Sequence, residues 1–183
     1  MSDSISIRVK EAEGKYDLGK SKFFGTPTVP GDWVDDFYED EIFFCQIRLA
    51  DIAELDPEAR LPQEGYLYIF LHTDGTLSPD VRYYGGEPDN ALDGFNADVD
   101  GFEQYTKEYL MDFAPADEDA EGTRLFGIPS DWQYGEEPPR LLLQYDPLDA
   151  PMGFLDSRDG YLYFFFGEDG ADLDGVTLLE EFS

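Results

Sequence analysis

Apolar and polar positions in this chain alternate over short segments, and turn-forming residues separate those segments. Ser4 to Val9 alternates with the two-residue period of a strand. Glu41 to Leu49 and Tyr66 to Leu71 are almost continuously apolar, as expected of strands that are covered on both faces. Further strands are predicted at 81–84, 108–113, 141–145, 161–166 and 176–179, with one short helical turn at 49–55. The pattern therefore predicts a mainly β fold with little helix.

One ordered set of motifs occurs twice in the chain. The segment 65–75 begins Gly-Tyr-Leu-Tyr and ends Asp-Gly, and the segment 160–170 does the same at equal length. Upstream of each lie a Phe-Gly-x-Pro turn, a Trp, and three apolar residues followed by Gln46 or Gln144. We therefore predict an internal duplication. The first repeat would cover about 18–86, an acidic connecting segment 87–122, and the second repeat about 123–183, within one domain over 1–183.

Composition restricts the class of protein. The chain holds 15 Phe and 12 Tyr, too much aromatic mass for a disordered protein. The single Cys45 excludes a disulfide framework and a cysteine-rich zinc site. No apolar run is long enough to span a bilayer, and the first residues do not resemble a signal peptide. We therefore expect a cytoplasmic protein.

The charge is strongly negative, with 42 acidic residues against 12 basic ones and a formal net charge of −30. Such a field repels nucleic acid and anionic membranes, so neither is expected as a partner. It favours a basic protein partner. Adaptation to high salt and simple solubility are alternative explanations of the same charge.

The repeated motifs together resemble the YwqG-like family, a bacterial domain of unknown function, from about residue 18 to the C-terminus. The resemblance implies a mainly β, roll-like fold with an internal repeat. It also implies a toxin–immunity setting and hence protein binding, and it supplies no catalytic residues. The chain departs from the family pattern at Arg124 and at 157–159, where it has Ser-Arg-Asp.

Candidate binding residues come from matched or isolated positions in the pattern: Gln46, Gln144, Trp33, Trp132 and His72. The two glutamines either face a shared cleft or bond nearby loops, such as the Gly-x-Pro turns. The two tryptophans either anchor a partner or plug the ends of the strand units. His72, the one histidine, has no catalytic companions visible in the sequence.

An acidic run at 96–101 has the spacing of the first half of a calcium loop, which makes Asp98 and Asp100 weak metal candidates. The bidentate acid that such a loop needs at its end falls on Lys107 instead. We therefore expect no metal site and no cofactor.

The leading functional hypothesis is a non-enzymatic protein-binding module, immunity-like or antitoxin-like, that covers a basic surface. One alternative is an enzyme or small-ligand-binding protein with a cleft between the repeats. The other is a calcium-binding acidic protein. The sequence leaves the oligomeric state open.

Overall fold

The computed structural model describes residues 4–149, 152–154, 159–168 and 172–182. Ser157, Arg158, Asp169 and Gly170, which entered the motifs above, lie outside the described residues. Strands make up 37% of the described residues and helical turns 7%, so the mainly β prediction is confirmed. The strands are β1 Ser4–Glu11, β2 Lys22–Phe23, β3 Thr28–Val29, β4 Glu41–Arg48, β5 Tyr66–His72, β6 Ser78–Tyr84, β7 Asn90–Ala91, β8 Tyr109–Ala116, β9 Arg124–Leu125, β10 Leu141–Tyr145, β11 Gly160–Phe165 and β12 Thr177–Phe182.

The helical content of the described residues consists of short 3-10 turns. They are Gly31–Trp33, Leu49–Asp51, Ala53–Leu55 and Asn96–Asp98. The turn predicted at 49–55 is therefore two 3-10 turns with Ile52 between them. The strand interpretation of 108–113 is confirmed by β8.

The chain divides into two compact units. The first unit is Lys10–Met111, and the second is Met1–Val9 with Asp112–Ser183. The first predicted repeat lies within the first unit and the second repeat within the second.

The first unit is built on an antiparallel sheet in the order β2-β4-β5-β6, with β3 and β7 as a separate pair. Tyr66, Tyr68 and Phe70 alternate along β5 and therefore lie on one face of the sheet. Half-buried aromatic side chains, including Trp33 and Phe37, pack over that face. Its opposite face carries Leu67, Ile69 and Leu71, which are also buried, and this explains why β5 reads as a continuous apolar run.

The second unit is built on strands in the order β12-β11-β10-β9-β1. Each of these strands pairs antiparallel with its neighbour. One face carries Leu141, Tyr163 and Phe165, and half-buried Trp132 and Leu179 pack against it. The alternate aromatic residues of β11 therefore lie on one face of the sheet, as those of β5 do.

Candidate functional site

The amide of Gln46 is buried, and its hydrogen-bonding groups are used by nearby backbone. Its Oε1 accepts the N–H of Thr28 at 3.0 Å, and its Nε2 donates to the carbonyls of Leu18 and Lys20. Thr28 directly follows the Gly-Thr-Pro turn. The amide thus holds that turn against β4.

Gln144 has the same arrangement in the second unit. Its Oε1 accepts the N–H of Ser130 at 2.8 Å, and Ser130 directly follows the Gly-Ile-Pro turn. Its Nε2 donates to the carbonyl of Gly122 and to the hydroxyl of Ser130. The contacts of both glutamines fit the loop-bonding interpretation rather than a ligand-facing one.

Trp33 and Trp132 are half-buried. Neither is as exposed as a partner anchor would be, and neither is as buried as a plug of its strand unit would be. Trp33 packs edge-on against Tyr68, with ring centroids 5.3 Å apart. Trp132 packs edge-on against Tyr163 and Phe165, and its Nε1 donates to the carbonyl of Glu136. Each ring therefore covers the aromatic face of its own strand unit. Part of each indole remains accessible.

An acidic cleft of about 890 Å³ opens on the first unit. Its apolar wall includes Phe37, Phe95 and Tyr38, of which Tyr38 is 73% exposed. Five exposed carboxylate side chains line it: Glu39, Asp74, Asp93, Asp98 and Asp100. No Lys or Arg occurs among the described residues that line this cleft. A smaller cavity of about 340 Å³, also lined by acidic residues, lies against Tyr161 and Tyr163 in the second unit.

Beside the cleft, Arg82 is held by aromatic rings and carboxylates together. Its guanidinium lies 4.4 Å from the ring centre of Phe37 and 5.3 Å from that of Trp33. The same group donates to Asp80 Oδ2 at 2.9 Å and to Asp36 Oδ2 at 3.1 Å. The surface of the first unit therefore already holds one arginine by stacking and ion pairing.

Glu41, one of the residues that line the cleft, is a buried acid. Its side chain is fully buried, and Oε1 accepts the N–H of Tyr38 at 3.1 Å. Oε2 is buried and has no hydrogen-bond partner in the described part of the chain. Burial raises the pKa of Glu41 to about 7; the N–H of Tyr38 opposes that rise, and the neighbouring Asp80 carboxylate adds to it.

Strand register explains why Glu41 lies close to two other side chains of types that can bind metal ions. Glu41 on β4 pairs with His72 on β5, and His72 pairs with Ser78 on β6. Asp80 is two residues further along β6 and therefore points to the same face. Glu41, His72 and Asp80 offer ligand atoms that all lie within 4.8 Å of one another.

A second carboxylate orients His72. Nδ1 of His72 lies 3.3 Å from Asp40 Oδ1, and Nε2 lies 3.9 Å from Glu41 Oε1. Burial acts to raise the pKa of Asp40, but hydrogen bonds from the Asp74 N–H and from His72 outweigh it, so the pKa is lowered. An ionised Asp40 can only accept, so Nδ1 carries the hydrogen in this contact. In the neutral ring Nε2 is then bare on the side of Glu41.

The calcium candidates do not assemble a loop of ligands. Asn96 is buried, its Oδ1 accepts the N–H of Phe43, and its Nδ2 donates to the carbonyls of Phe43 and Tyr105. Its side chain thus fastens this segment to β4 instead of facing an ion. Asp98 and Asp100 are exposed on the cleft.

Sequence reasoning identified His72 and missed Glu41 and Asp80. Both acids belong to strands, Glu41 as the first residue of β4 and Asp80 as the third of β6. An acid at the start of an otherwise apolar strand was the one available signal for Glu41. Cys45 is fully buried, and burial raises the pKa of its thiol, which does not suit a nucleophile.

The chain matches no family model and no curated protein. Within the described ranges, no helix is long and apolar enough to cross a membrane.

Proposed function

We propose that this protein is a non-enzymatic binding module of the cytoplasm that takes a basic segment of a partner protein into the acidic cleft. The observation that carries the proposal is the composition of the cleft. Aromatic side chains such as Phe37 and Phe95 lie beside exposed carboxylates such as Asp98 and Asp100. Arginine and lysine need both surfaces, because their stems are apolar and their ends are cationic.

Arg82 serves as an internal example of this kind of binding. Its guanidinium stacks on Phe37 and Trp33 while Asp36 and Asp80 neutralise it. A partner's arginine would meet the same combination a short distance away, at Tyr38 and the carboxylates of the cleft. Contacts of this kind contribute about 0.5–2 kcal/mol each, depending on how far the cation is desolvated.

The net charge of −30 would act at longer range. A field of one sign raises the rate at which an oppositely charged partner meets the cleft, and salt weakens it. The immunity-like role remains part of the proposal, resting on the YwqG-like resemblance at the Phe-Gly-x-Pro and Gly-Tyr-Leu-Tyr motifs. The acidic charge and the cleft support it independently.

The proposal is tested by titrating the protein with an oligoarginine peptide and measuring Kd by calorimetry. The variant Asp98→Asn/Asp100→Asn removes two exposed cleft charges, and we expect Kd to rise about tenfold. The control variant Glu136→Gln/Glu137→Gln removes two exposed charges from the second unit and should leave Kd within about twofold. Equal losses in both variants would show general attraction by the whole surface and would refute a binding cleft.

We also propose that residues 18–86 and 123–183 are two copies of one ancestral unit. Matched hydrogen bonds support this, beginning with the two glutamines described above. Lys22 pairs with Gln46 across β2 and β4, and Arg124 pairs with Gln144 across β9 and β10. The register of β4 with β5 shifts between Phe43 and Cys45, and that of β10 with β11 shifts between Leu141 and Leu143.

The matched contacts continue into the tyrosines and the turns. The hydroxyl of Tyr68 donates to the carbonyl of Thr28, and that of Tyr163 donates to the carbonyl of Ser130. The Ser21 hydroxyl accepts the N–H of Arg48, and the Thr123 hydroxyl accepts the N–H of Asp146. Duplication of one unit explains these equivalent hydrogen bonds more simply than their independent origin in each unit does.

A further inference from the structure

Glu41 has one buried carboxylate oxygen that needs a positive partner. Oε2 finds no hydrogen-bond donor within the described ranges, although the side chain is completely removed from water. A buried unpaired carboxylate oxygen is costly, so such an atom is satisfied by a proton or by a cation. The groups next to it decide which of the two it takes.

The neighbours of Glu41 supply further ligands. Asp80 brings a second carboxylate, and its Oδ2 is already bonded to Arg82. His72 brings Nε2, 3.9 Å from Glu41 Oε1. Asp40 holds Nδ1 of the same ring, and a carboxylate on the far nitrogen of a histidine is the usual support of a metal-bound imidazole.

We propose that Glu41, His72 Nε2 and Asp80 bind one divalent transition-metal ion, with Zn²⁺ as the preferred ion. One imidazole nitrogen and two carboxylates are a donor set that zinc accepts, whereas Mg²⁺ and Ca²⁺ prefer oxygen ligands alone. This proposal departs from the expectation of no metal site and no cofactor, which was drawn from sequence motifs without knowledge of strand register.

Distances and surroundings fit this assignment. Tetrahedral zinc with bonds of about 2.0–2.1 Å places its ligand atoms about 3.3 Å apart. The three ligand atoms lie within 4.8 Å of one another. Small side-chain rotations of His72 and Asp80 would bring them to the separation that zinc requires. Glu41 and Asp40 also line the acidic cleft, so the proposed site lies beside that cleft. Three protein ligands with one open position are typical of accessible zinc sites.

The presence of one histidine in the chain makes the decisive experiment simple. With ¹⁵N-labelled protein, His72 gives the one pair of imidazole nitrogen signals outside any purification tag. Adding Zn²⁺ to one equivalent should move the Nε2 signal to a metal-bound position and leave Nδ1 protonated. Unchanged imidazole signals at saturating Zn²⁺ would overturn the proposal.

Stability gives a second readout that does not depend on activity. Zn²⁺ in hundredfold excess over its Kd should raise the Tm of the full chain by about 5–10 °C. Glu41→Gln keeps the shape of the side chain and gives Asp80 a hydrogen-bond donor, so the metal-free variant should be at least as stable as the parent. The Zn²⁺-dependent rise in Tm should disappear in this variant and in His72→Gln.

Two further variants separate a built site from general attraction of cations. Asp40→Asn should weaken Zn²⁺ binding about tenfold or more, because it removes the support of His72. Asp98→Asn/Asp100→Asn removes cleft charges without touching the three ligands and should change the Kd for Zn²⁺ less than about threefold. Equal competition by Mg²⁺ or Ca²⁺, or a Kd unaffected by His72→Gln, would overturn the assignment. Asp98→Asn/Asp100→Asn is therefore expected to weaken oligoarginine binding and to leave Zn²⁺ binding nearly unchanged. Either of the two proposals can then be refuted without refuting the other.

Discussion

Two glycines occupy turns whose backbone shape disfavours other residues. Gly25 and Gly127 have φ values of +81° and +84°, and each follows a phenylalanine that is also left-handed, Phe24 at +58° and Phe126 at +64°. A left-handed residue with a Cβ costs about 1–2 kcal/mol. A Cβ on Gly127 would also lie 2.4 Å from the backbone oxygen of Glu118. The Phe-Gly-x-Pro motif is thus a requirement of geometry at the level of single residues.

Gly127→Ala should lower the free energy of unfolding by about 2–5 kcal/mol, because strain in φ and a backbone collision both contribute. Gly75→Ala is the matched control. Its φ is +86°, but nothing lies within 4 Å of its added Cβ, so it should cost only about 1–2 kcal/mol. Urea unfolding of both variants measures the difference. Equal costs would mean that the backbone at 118 moves aside freely.

At the scale of elements, strand positions were predictable and strand register was not. The aromatic alternation of β5 identifies the strand and its buried faces, because burial requires that pattern. The partner of Glu41, however, depends on the bulge after Phe43 and on loop geometry, which no periodicity reveals. Asp80 was missed for a further reason: the strand was predicted to begin at residue 81, whereas β6 begins at Ser78 and includes Pro79, which an edge strand tolerates.

Gln46→Leu and Gln144→Leu should each destabilise the fold by a similar amount. Each change leaves a turn N–H and loop carbonyls without the amide that bonds them, at about 1–3 kcal/mol for each buried group left unpaired. Thermal and urea melts of both variants test this, with oligoarginine binding measured alongside. A variant as stable as the parent that loses ligand would return the amide to a functional role.

At the scale of the whole molecule, charge dominates the picture. The chain has 42 acidic and 12 basic residues, and few of the acids are neutralised: the described ion pairs mostly join single partners, such as Lys22 with Glu108. Self-repulsion of this size destabilises a compact state at low salt. The sign of the charge follows from composition alone. That several of the acidic residues surround an aromatic cleft follows only from the fold.

Added salt should therefore raise Tm. The Debye length falls from about 10 Å at 0.1 M to about 3 Å at 1 M, which screens most exposed pairs. Melting should be followed in sodium chloride across that interval, with sucrose as an uncharged control for solvent exclusion. A flat response to sodium chloride would show that the negative charges are spaced widely enough to be harmless.

Strand β6 has a consequence for solubility. In the described part of the first unit it forms the last strand of the sheet and pairs with β5, which leaves one row of its backbone groups available to another chain. Pro79 lacks an N–H, and Asp80 and Arg82 place charges along the strand, all of which hinder edge-to-edge growth into fibrils. Pro79→Val should accelerate thioflavin-positive aggregation without loss of native stability, whereas unchanged aggregation kinetics would place the protection elsewhere. Asp80, which lies close to Glu41, would then serve a second purpose together with Arg82, by hindering association of two copies through the edge strand β6.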